Sequence, residues 1–254
     1  MSAAAPAAQR REHELSRALT RVRARLAAAA EAAGRAADKI ELLPVTKFFP
    51  ATDVAILSRL GCRSVGESRD QEASAKIGEL ARLMGPAAQQ VQWHMVGQIQ
   101  RNKARSVARW ADTVHSVSSS RVVTALDRAV TAALTEGRRR DPLRVYVQIS
   151  LDGDVSRGGV DISAPGAVDD VCAQVAESDV LRLVGLMGIP PLGWNPDEAF
   201  ARLRAEHRRV LESHPGAVGL SAGMSHDLEF AVKHGSTCVR VGTALLGPRP
   251  LRSP

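Results

Sequence analysis

A lysine at the end of a short apolar segment is the first residue of the sequence that could perform covalent chemistry. Residues 42–50 read LLPVTKFFP, and an apolar run of this length bounded by turn formers predicts a buried strand that ends close to Lys47. Between Thr46 and two phenylalanines this lysine would be partly desolvated, which lowers the pKa of an ammonium group towards the free amine that attacks carbonyl carbons. We interpret Lys47 as a candidate Schiff-base lysine. The alternative is an ordinary strand-end lysine that extends into water.

Two later segments have the composition of a phosphate-binding cradle. LSAGMS at residues 220–225 and GTALLG at residues 242–247 each combine glycine with Ser or Thr directly after a predicted strand. Glycine lets the backbone approach an anion closely, hydroxyl groups donate hydrogen bonds, and the start of a helix adds partial positive charge. Either segment alone is also compatible with an ordinary turn, so their positions in the fold decide between the two interpretations.

Arg240 is the third candidate. In Val239-Arg240-Val241, strand alternation puts the valines on one face and the arginine on the other, so its side chain points either into a barrel or among outer helices. A guanidinium stays charged and is costly to bury without a partner, which a ligand acceptor would supply. A lysine, a phosphate cradle and an inward arginine together suit pyridoxal 5'-phosphate, whose aldehyde, phosphate and ring nitrogen call for these groups.

The elements that must position these residues alternate along the chain. Apolar runs predict eight strands, near residues 42–46, 63–66, 92–97, 113–117, 143–150, 182–189, 217–221 and 238–242. Helical stretches separate the strands, and an amphipathic helix over residues 12–33 precedes them. The pattern is typical of an α/β fold, a (β/α)8 TIM barrel with an extra N-terminal helix. An open doubly wound sheet would need a glycine-rich turn after its first strand, and TKFFP contains no glycine.

The barrel prediction favours the phosphate-binding interpretation of the two cradle segments. Barrels of this kind commonly bind phosphate after strands seven and eight, where both segments fall. The barrel prediction also sets the expected organisation of the chain. We predict a flexible N-terminal tail over residues 1–11, one cofactor-binding barrel domain over residues 12–249 and a C-terminal tail over residues 250–254.

Composition narrows the function classes. The net charge of +7 makes nucleic-acid binding a possible function. The charge is spread over predicted helical faces, however, and only 3% of residues are aromatic, which is too few for base stacking. We therefore expect no nucleic-acid partner. The dense block Arg138-Arg139-Arg140 is interpreted as a solvated loop. No run of 18 apolar residues predicts a membrane span, and three scattered cysteines fit a reduced cytoplasm without a metal site.

Seven motifs, in order along the chain, identify a resemblance to a known family. They are VTKFFP at 45–50, GESRDQE at 66–72, WHMVGQIQRNK at 93–103, GGV at 158–160, GLM at 185–187 with two prolines at 190–191, LSAGMS at 220–225 and VRVGT at 239–243. On these motifs the chain resembles the pyridoxal phosphate homeostasis protein family, whose fold is similar to the barrel domain of alanine racemase. The resemblance covers residues from about Glu12 to Arg249.

The resemblance implies how the cofactor would be held. Lys47 would carry pyridoxal phosphate as an internal aldimine, the phosphate would be bound by three residues of the cradle, Arg240 would face the pyridine nitrogen and Met224 would line the site. The implied cofactor-binding set is Lys47, Ser68, Ser221, Gly223, Met224, Arg240, Gly242 and Thr243, with Ser221, Gly242 and Thr243 at the phosphate. The family usually has asparagine where this chain has Ser68, a shorter donor, and phenylalanine where it has Met95.

The same residues favour binding over turnover, so no catalytic residue is predicted. A guanidinium beside the ring nitrogen disfavours its protonation and weakens the cofactor as an electron sink. Racemases with this arrangement add a tyrosine base from a C-terminal domain, whereas Tyr146, the only tyrosine here, falls within a predicted strand. His94, another conceivable base, is expected to be satisfied by a backbone carbonyl.

The predicted function is a cytoplasmic, monomeric pyridoxal phosphate carrier that takes part in cofactor homeostasis, by buffering or by delivery to apo-enzymes. The main alternative is a racemase-like amino-acid enzyme that lacks the second domain. A further alternative is an interaction protein for which the cofactor is incidental. A phosphosugar aldolase is less favoured, because Schiff-base lysines in such barrels usually lie on later strands.

Overall fold

The computed structural model describes residues 4–249, which form a ring of parallel strands surrounded by helices. The strands are β1 (Glu41–Pro44), β2 (Ser64–Glu67), β3 (Gln92–Met95), β4 (Thr113–Val117), β5 (Leu143–Ser150), β6 (Val160–Asp161), β7 (Leu181–Gly188), β8 (Gly219–Ser221) and β9 (Cys238–Val241). The helices are α1 (Ala4–Ala32), α2 (Ala51–Arg59), α3 (Asp70–Met84), α4 (Ala104–Trp110), α5 (Ser120–Thr135), α6 (Pro165–Ala176), α7 (Pro196–Ser213), α8 (Leu228–Lys233) and α9 (Thr243–Leu246).

The strand order closes into a barrel. Hydrogen-bonded neighbours follow the order β1-β9-β8-β7-β5-β4-β3-β2, and the short β6 adds to β5. The two ends of this path meet where Val45, directly after β1, forms a parallel bridge with Gly66 in β2. At the same point the Thr46 N–H donates to the Gly66 carbonyl oxygen at 2.9 Å. The predicted (β/α)8 barrel is therefore confirmed, and the open doubly wound sheet is excluded.

Valine-rich strands form the centre of the core because a parallel sheet is covered on both faces. Val114, Val145 and Val147 are fully buried in β4 and β5. The outer helices supply matching apolar stripes, such as Leu126 and Val130 of α5, which belong to the same buried cluster and lie four residues apart. Burial of this kind stabilises the barrel by about 1.5–3 kcal/mol for each large aliphatic side chain.

The N-terminal helix packs across the start and the end of the barrel. Its predicted apolar stripe, Leu15, Leu19, Val22 and Leu26, is buried against residues of α2, α8 and α9. The helix begins at Ala4, well before the predicted start, so residues 4–11 of the predicted tail are helical; residues 1–3 and 250–254 lie outside the described part of the chain. A long-range ion pair that no local pattern shows helps to hold this extension, since Arg11 lies 2.6 Å from Asp53 and donates to the Leu246 carbonyl oxygen at 3.1 Å.

Some boundaries differ from the predicted ones. The helix expected from residue 99 begins at Ala104, after a 3₁₀ turn over residues 101–103. The glycine-containing loop after β5 contains the two-residue strand β6, because Gly159 has a φ of 106° and a Cβ there would lie 2.6 Å from the Ser150 nitrogen. Only a residue without a side chain allows this close approach to β5.

Three expectations from composition can be compared with the described residues. Cys62, Cys172 and Cys238 are buried and form no disulfide. Within residues 4–249 no helix is both long enough and apolar enough to cross a membrane. The arginine block is mostly exposed, as predicted, but Arg139 donates to the carbonyl oxygens of Ala108 and Ala111 at 3.1 and 2.6 Å and so caps the end of α4.

Candidate functional site

The pairing of β1 with β9 brings Lys47 beside the second cradle segment. Pro44 pairs with Val241 in register, and the Val45 N–H donates to the Val241 carbonyl oxygen at 2.9 Å. Lys47 follows the end of β1, and Gly242 and Thr243 follow the end of the neighbouring strand directly. The candidate amine and part of the candidate phosphate cradle therefore lie at adjacent strand ends on the carboxyl face of the barrel.

Lys47 is exposed, so the prediction that it would be partly desolvated is wrong for this structure. The chain turns away from the sheet after the buried Thr46, and Phe48 adopts a left-handed conformation with a φ of 71°. This turn directs the lysine out of the apolar layer that its neighbours in sequence suggested. The Lys47 Nζ lies 5.8 Å from the centroid of the half-buried Phe48 ring.

The two cradle segments are joined to each other. The Ala244 N–H donates to Ser225 Oγ at 3.2 Å, and the Met224 N–H donates to the buried Asp227 at 2.6 Å. No hydrogen bond formed between described residues uses the backbone N–H groups of Gly242 and Thr243. These two N–H groups are what a bound phosphate would require, whereas the Met224 N–H is already engaged and its side chain is half-buried.

Gly223 shapes the first cradle segment by its small size. Its φ is 91°, and a Cβ at this position would lie 2.6 Å from the Cβ of Ala231 in α8. The position therefore excludes a side chain for reasons of backbone conformation and packing. A direct contact of Gly223 with the cofactor stays a prediction.

Arg240 points into the barrel, which settles the alternative that the sequence left open. Its guanidinium donates from NH1 to Ser221 Oγ at 2.6 Å and from NH2 to the Gly188 carbonyl oxygen at 3.2 Å, and only 5% of the residue is exposed. Among the described residues it has no carboxylate within ion-pairing distance, and burial lowers the pKa of Arg240. Since two of its five N–H groups are used here, a buried cation with spare donors lies below the barrel mouth.

Ser221, which accepts the hydrogen bond from Arg240, also bonds to the first residue of a buried histidine pair. His115 bonds to Ser221 Oγ through Nδ1 at 2.8 Å and to the Nδ1 of His94 through Nε2 at 3.0 Å. The expectation that His94 bonds to a backbone carbonyl is therefore wrong, because its partner is an imidazole on the adjacent strand. The Nε2 atom of His94 is buried and has no hydrogen-bond partner among residues 4–249. A phosphate contact of Ser221 stays a prediction, because its hydroxyl is already held by Arg240 and His115.

Burial keeps both imidazoles neutral. It lowers the pKa of His94 to about 4 and the pKa of His115 well below its ordinary value. His115 also stacks on Tyr146, with ring centroids 4.6 Å apart, and burial raises the pKa of the Tyr146 phenol. The three rings of His94, His115 and Tyr146 therefore lie in contact in one buried group.

A buried ion pair beneath the Lys47 turn was missed by sequence reasoning. Lys76 of α3 lies 2.5 Å from Glu67, the last residue of β2, and both side chains are at most 5% exposed. The Thr46 hydroxyl donates to the same Glu67 oxygen at 2.6 Å. The i,i+4 spacing of Glu72 and Lys76 was a signal for a helical ion pair, but local spacing does not show that the pair faces the barrel.

Ser68 lies on the other side of the Lys47 turn from the cradle. It is half-buried and lines a cavity of about 610 Å³ together with Phe48, Met95 and Gln98. Phe48, the residue after Lys47, borders this cavity, so the Lys47 turn forms one of its walls. A contact between Ser68 and a cofactor stays a prediction.

Gly97 supports the Ser68 backbone, and its replacement tests that role. A Cβ at Gly97 would lie 2.1 Å from the Ser68 carbonyl oxygen, so Gly97→Ala must displace the Ser68 turn and is expected to lower the free energy of unfolding by about 1–3 kcal/mol. Urea unfolding measures this loss. The control Gly78→Ala, at an exposed position of α3 with nothing within 4 Å, is expected to gain up to about 1 kcal/mol. Equal changes in the two variants would contradict the packing argument.

Comparisons with known proteins agree with this architecture. The family described as alanine racemase, N-terminal domain, matches residues 18–250. The pyridoxal phosphate homeostasis protein of Mycobacterium leprae is 72% identical over 247 residues, which cover 96% of each chain, and that of Escherichia coli K12 is 34% identical over 244 residues, covering 93% of this chain and 97% of its relative. The chain belongs to the pyridoxal phosphate homeostasis protein family. The earlier interpretation of its motifs is thereby confirmed.

Two solved structures share the fold of this chain to different extents. PipY of Synechococcus elongatus, solved with pyridoxal phosphate bound, is 30% identical with a TM-score of 0.75, and the match covers 92% of this chain and all of PipY. Alanine racemase of Corynebacterium glutamicum is 16% identical with a TM-score of 0.60, covering 95% of this chain and 62% of the racemase. The racemase therefore shares the barrel alone with this member of the homeostasis protein family.

Proposed function

We propose that this chain binds pyridoxal 5'-phosphate at the carboxyl face of its barrel, with Lys47 as the attachment residue, and that it serves cofactor homeostasis. One observation carries the proposal. The register of β1 with β9 brings the end of the segment that carries the exposed Lys47 beside Gly242 and Thr243, whose N–H groups form no hydrogen bond among the described residues. The buried guanidinium of Arg240, which has no carboxylate partner among those residues, lies in β9 as well. The family relationship and the pyridoxal phosphate in PipY support it.

The donor set fits the three polar ends of this cofactor. The N–H groups of Gly242 and Thr243 would donate to the phosphate at the start of α9, and one of the spare N–H groups of Arg240 would donate to the ring nitrogen. Lys47 is exposed and able to meet a ligand that enters from solvent. When bound, pyridoxal phosphate supplies an electrophilic aldehyde that condenses with amines.

The geometry supports binding rather than turnover. A cationic guanidinium donates to the ring nitrogen and does not protonate it, which keeps the ring a weak electron sink. The two side chains considered as a second base, Tyr146 and His94, are both buried within the barrel. The racemase-like alternative is therefore not favoured.

Cofactor delivery is part of the proposal. An exposed lysine at an open barrel mouth can exchange its cofactor with incoming amines, so apo forms of pyridoxal phosphate enzymes are the proposed transient partners, and the chain acts as a monomer in the cytoplasm. Three buried, unpaired cysteines suit a reducing compartment.

Titration of the purified protein with pyridoxal phosphate tests the proposal. We expect a visible absorption band to develop with one equivalent of cofactor, and borohydride reduction to fix the cofactor on the peptide that contains Lys47. Incubation with amino acids should release cofactor without racemising or consuming the amino acid. A colourless protein with no adduct would refute the assignment, and steady turnover would restore the enzyme alternative.

Replacement of Arg240 is expected to weaken cofactor binding without changing the stability of the protein. Arg240→Met removes a buried cation without an ion-pair partner, so the free energy of unfolding of the apo protein should stay within about 1 kcal/mol of the wild-type value. The variant also loses a charge-assisted hydrogen bond to the cofactor, so its Kd for pyridoxal phosphate should rise by about ten- to a hundredfold. Urea unfolding and absorbance titration measure the two effects. Arg182→Met, an exposed position on β7, is the control and should change neither quantity.

A further inference from the structure

The turn that carries Lys47 is held from below by contacts to Thr46. The Thr46 carbonyl oxygen accepts from the Phe49 N–H at 3.0 Å and from the Lys76 ammonium at 2.8 Å. Its side-chain hydroxyl donates to Glu67. The residue directly before Lys47 is therefore fixed through both its backbone and its side chain by groups of β2 and α3.

The same group of side chains stabilises an unusual backbone conformation. Phe48 is the one non-glycine residue with a positive φ among the described residues, and a bulky residue rarely adopts this conformation. Its N–H donates to Glu72 Oε1, and that oxygen also accepts from Lys76 at 3.3 Å. The residues on both sides of Lys47 are thus tied to one buried ammonium group.

Lys76 has no capacity left for another partner. An ammonium group has three donors, and the Lys76 Nζ contacts three oxygens, of Thr46, Glu67 and Glu72. With 5% of its surface exposed and a carboxylate at 2.5 Å, it is neither reachable nor free to attack a carbonyl carbon. Its place in the structure suits it to hold the turn and not to react.

We propose that Lys76 is a positioning residue for Lys47: together with Glu67 it fixes the Thr46–Phe48 turn, so that the exposed amine meets a cofactor whose phosphate lies on the cradle. This inference rests on the proposed function. According to this inference, attachment of the cofactor requires more than an exposed and reactive amine. The Lys47 side chain must also be held in a fixed direction relative to β9.

The test separates positioning from folding. Lys76→Met alone leaves the buried Glu67 unpaired and is expected to destabilise the protein. The double variant Lys76→Met with Glu67→Gln removes both charges and should fold with an unfolding midpoint close to that of the wild type. Lys39→Met, at an exposed lysine outside the barrel mouth, is the matched control. Two rates are measured for each protein: attachment of pyridoxal phosphate to Lys47, trapped by borohydride, and acetylation of Lys47 by acetic anhydride without cofactor.

We expect the double variant to attach pyridoxal phosphate at least tenfold more slowly, with the acetylation rate of Lys47 unchanged because the amine stays exposed. Equal attachment rates in a folded double variant would overturn the inference, as would a parallel fall in both rates. If the wild type itself attaches no cofactor, the proposed function fails first. The inference is then judged on hydrogen exchange at the Phe48 amide, and equal exchange in wild type and double variant refutes it.

Discussion

Replacement of Lys47 by alanine is expected to abolish covalent attachment of pyridoxal phosphate while leaving the fold intact. The side chain is exposed and forms no hydrogen bond that the structure describes, so its removal should change the free energy of unfolding by less than about 0.5 kcal/mol. The amine, in contrast, is the proposed nucleophile, and the nearby Lys76 is buried and already held by three oxygens. The absorption band and the borohydride-stable adduct should both disappear.

A matched lysine makes this result specific. Lys39 is exposed and lies outside the barrel mouth, so Lys39→Ala should keep the full band and the adduct on Lys47. The Lys47→Ala protein should still bind inorganic phosphate or unattached cofactor weakly at the cradle, because its N–H groups are unchanged. An adduct of undiminished yield on another lysine in the variant would refute the assignment of Lys47.

The stability of the protein is expected to fall between about pH 6.5 and pH 4 because of the buried histidine pair. Burial lowers the pKa of His94 from 6.5 to about 4. In this window the unfolded chain binds a proton that the folded chain refuses, so stability is present above the unfolded pKa and is lost as the pH falls towards the folded pKa. His94 alone contributes a loss of up to about 3 kcal/mol, and His115, whose pKa is lowered in the same direction, adds to it.

Urea unfolding at intervals between pH 7 and pH 4.5 measures this loss. Acidic residues titrate in the same range, so the informative quantity is the difference in slope between wild type and His94→Gln. The variant should show a flatter dependence even where it is less stable at pH 7. His226→Gln, at an exposed position, should keep the wild-type slope. An unchanged slope in His94→Gln would show that the pair is not the titrating group.

The barrel could be predicted from the sequence because its strands are short apolar runs, whereas its helices repeat apolar residues at spacings of three and four. The N-terminal extension to Ala4 was missed because it is held by Arg11 and Asp53, which lie 42 residues apart. The small strand β6 was missed for a related reason, since its pairing depends on the approach of Gly159 to β5 and not on an apolar run.

The candidate site was only partly predictable. The type of residue indicated Lys47 and the two cradle segments, and topology placed them together. Strand alternation could not tell which face of β9 is inward, so the direction of Arg240 stayed open until its contacts with Ser221 and Gly188 were seen. The exposure of Lys47, the partner of His94 and the role of Lys76 all depend on contacts between elements distant in sequence.

A single parallel bridge, between Val45 and Gly66, closes the barrel between β1 and β2. β1 is bound to β9 through four register pairs but to β2 through this one bridge, so backbone pairing between β1 and β2 is sparse. Hydrogen bonds and an ion pair among Thr46, Glu67 and Lys76 add side-chain contacts across this junction. β8 and β9 also share a single register pair, so the amides at these two junctions should exchange with solvent ahead of those in β5 and β7, which share seven.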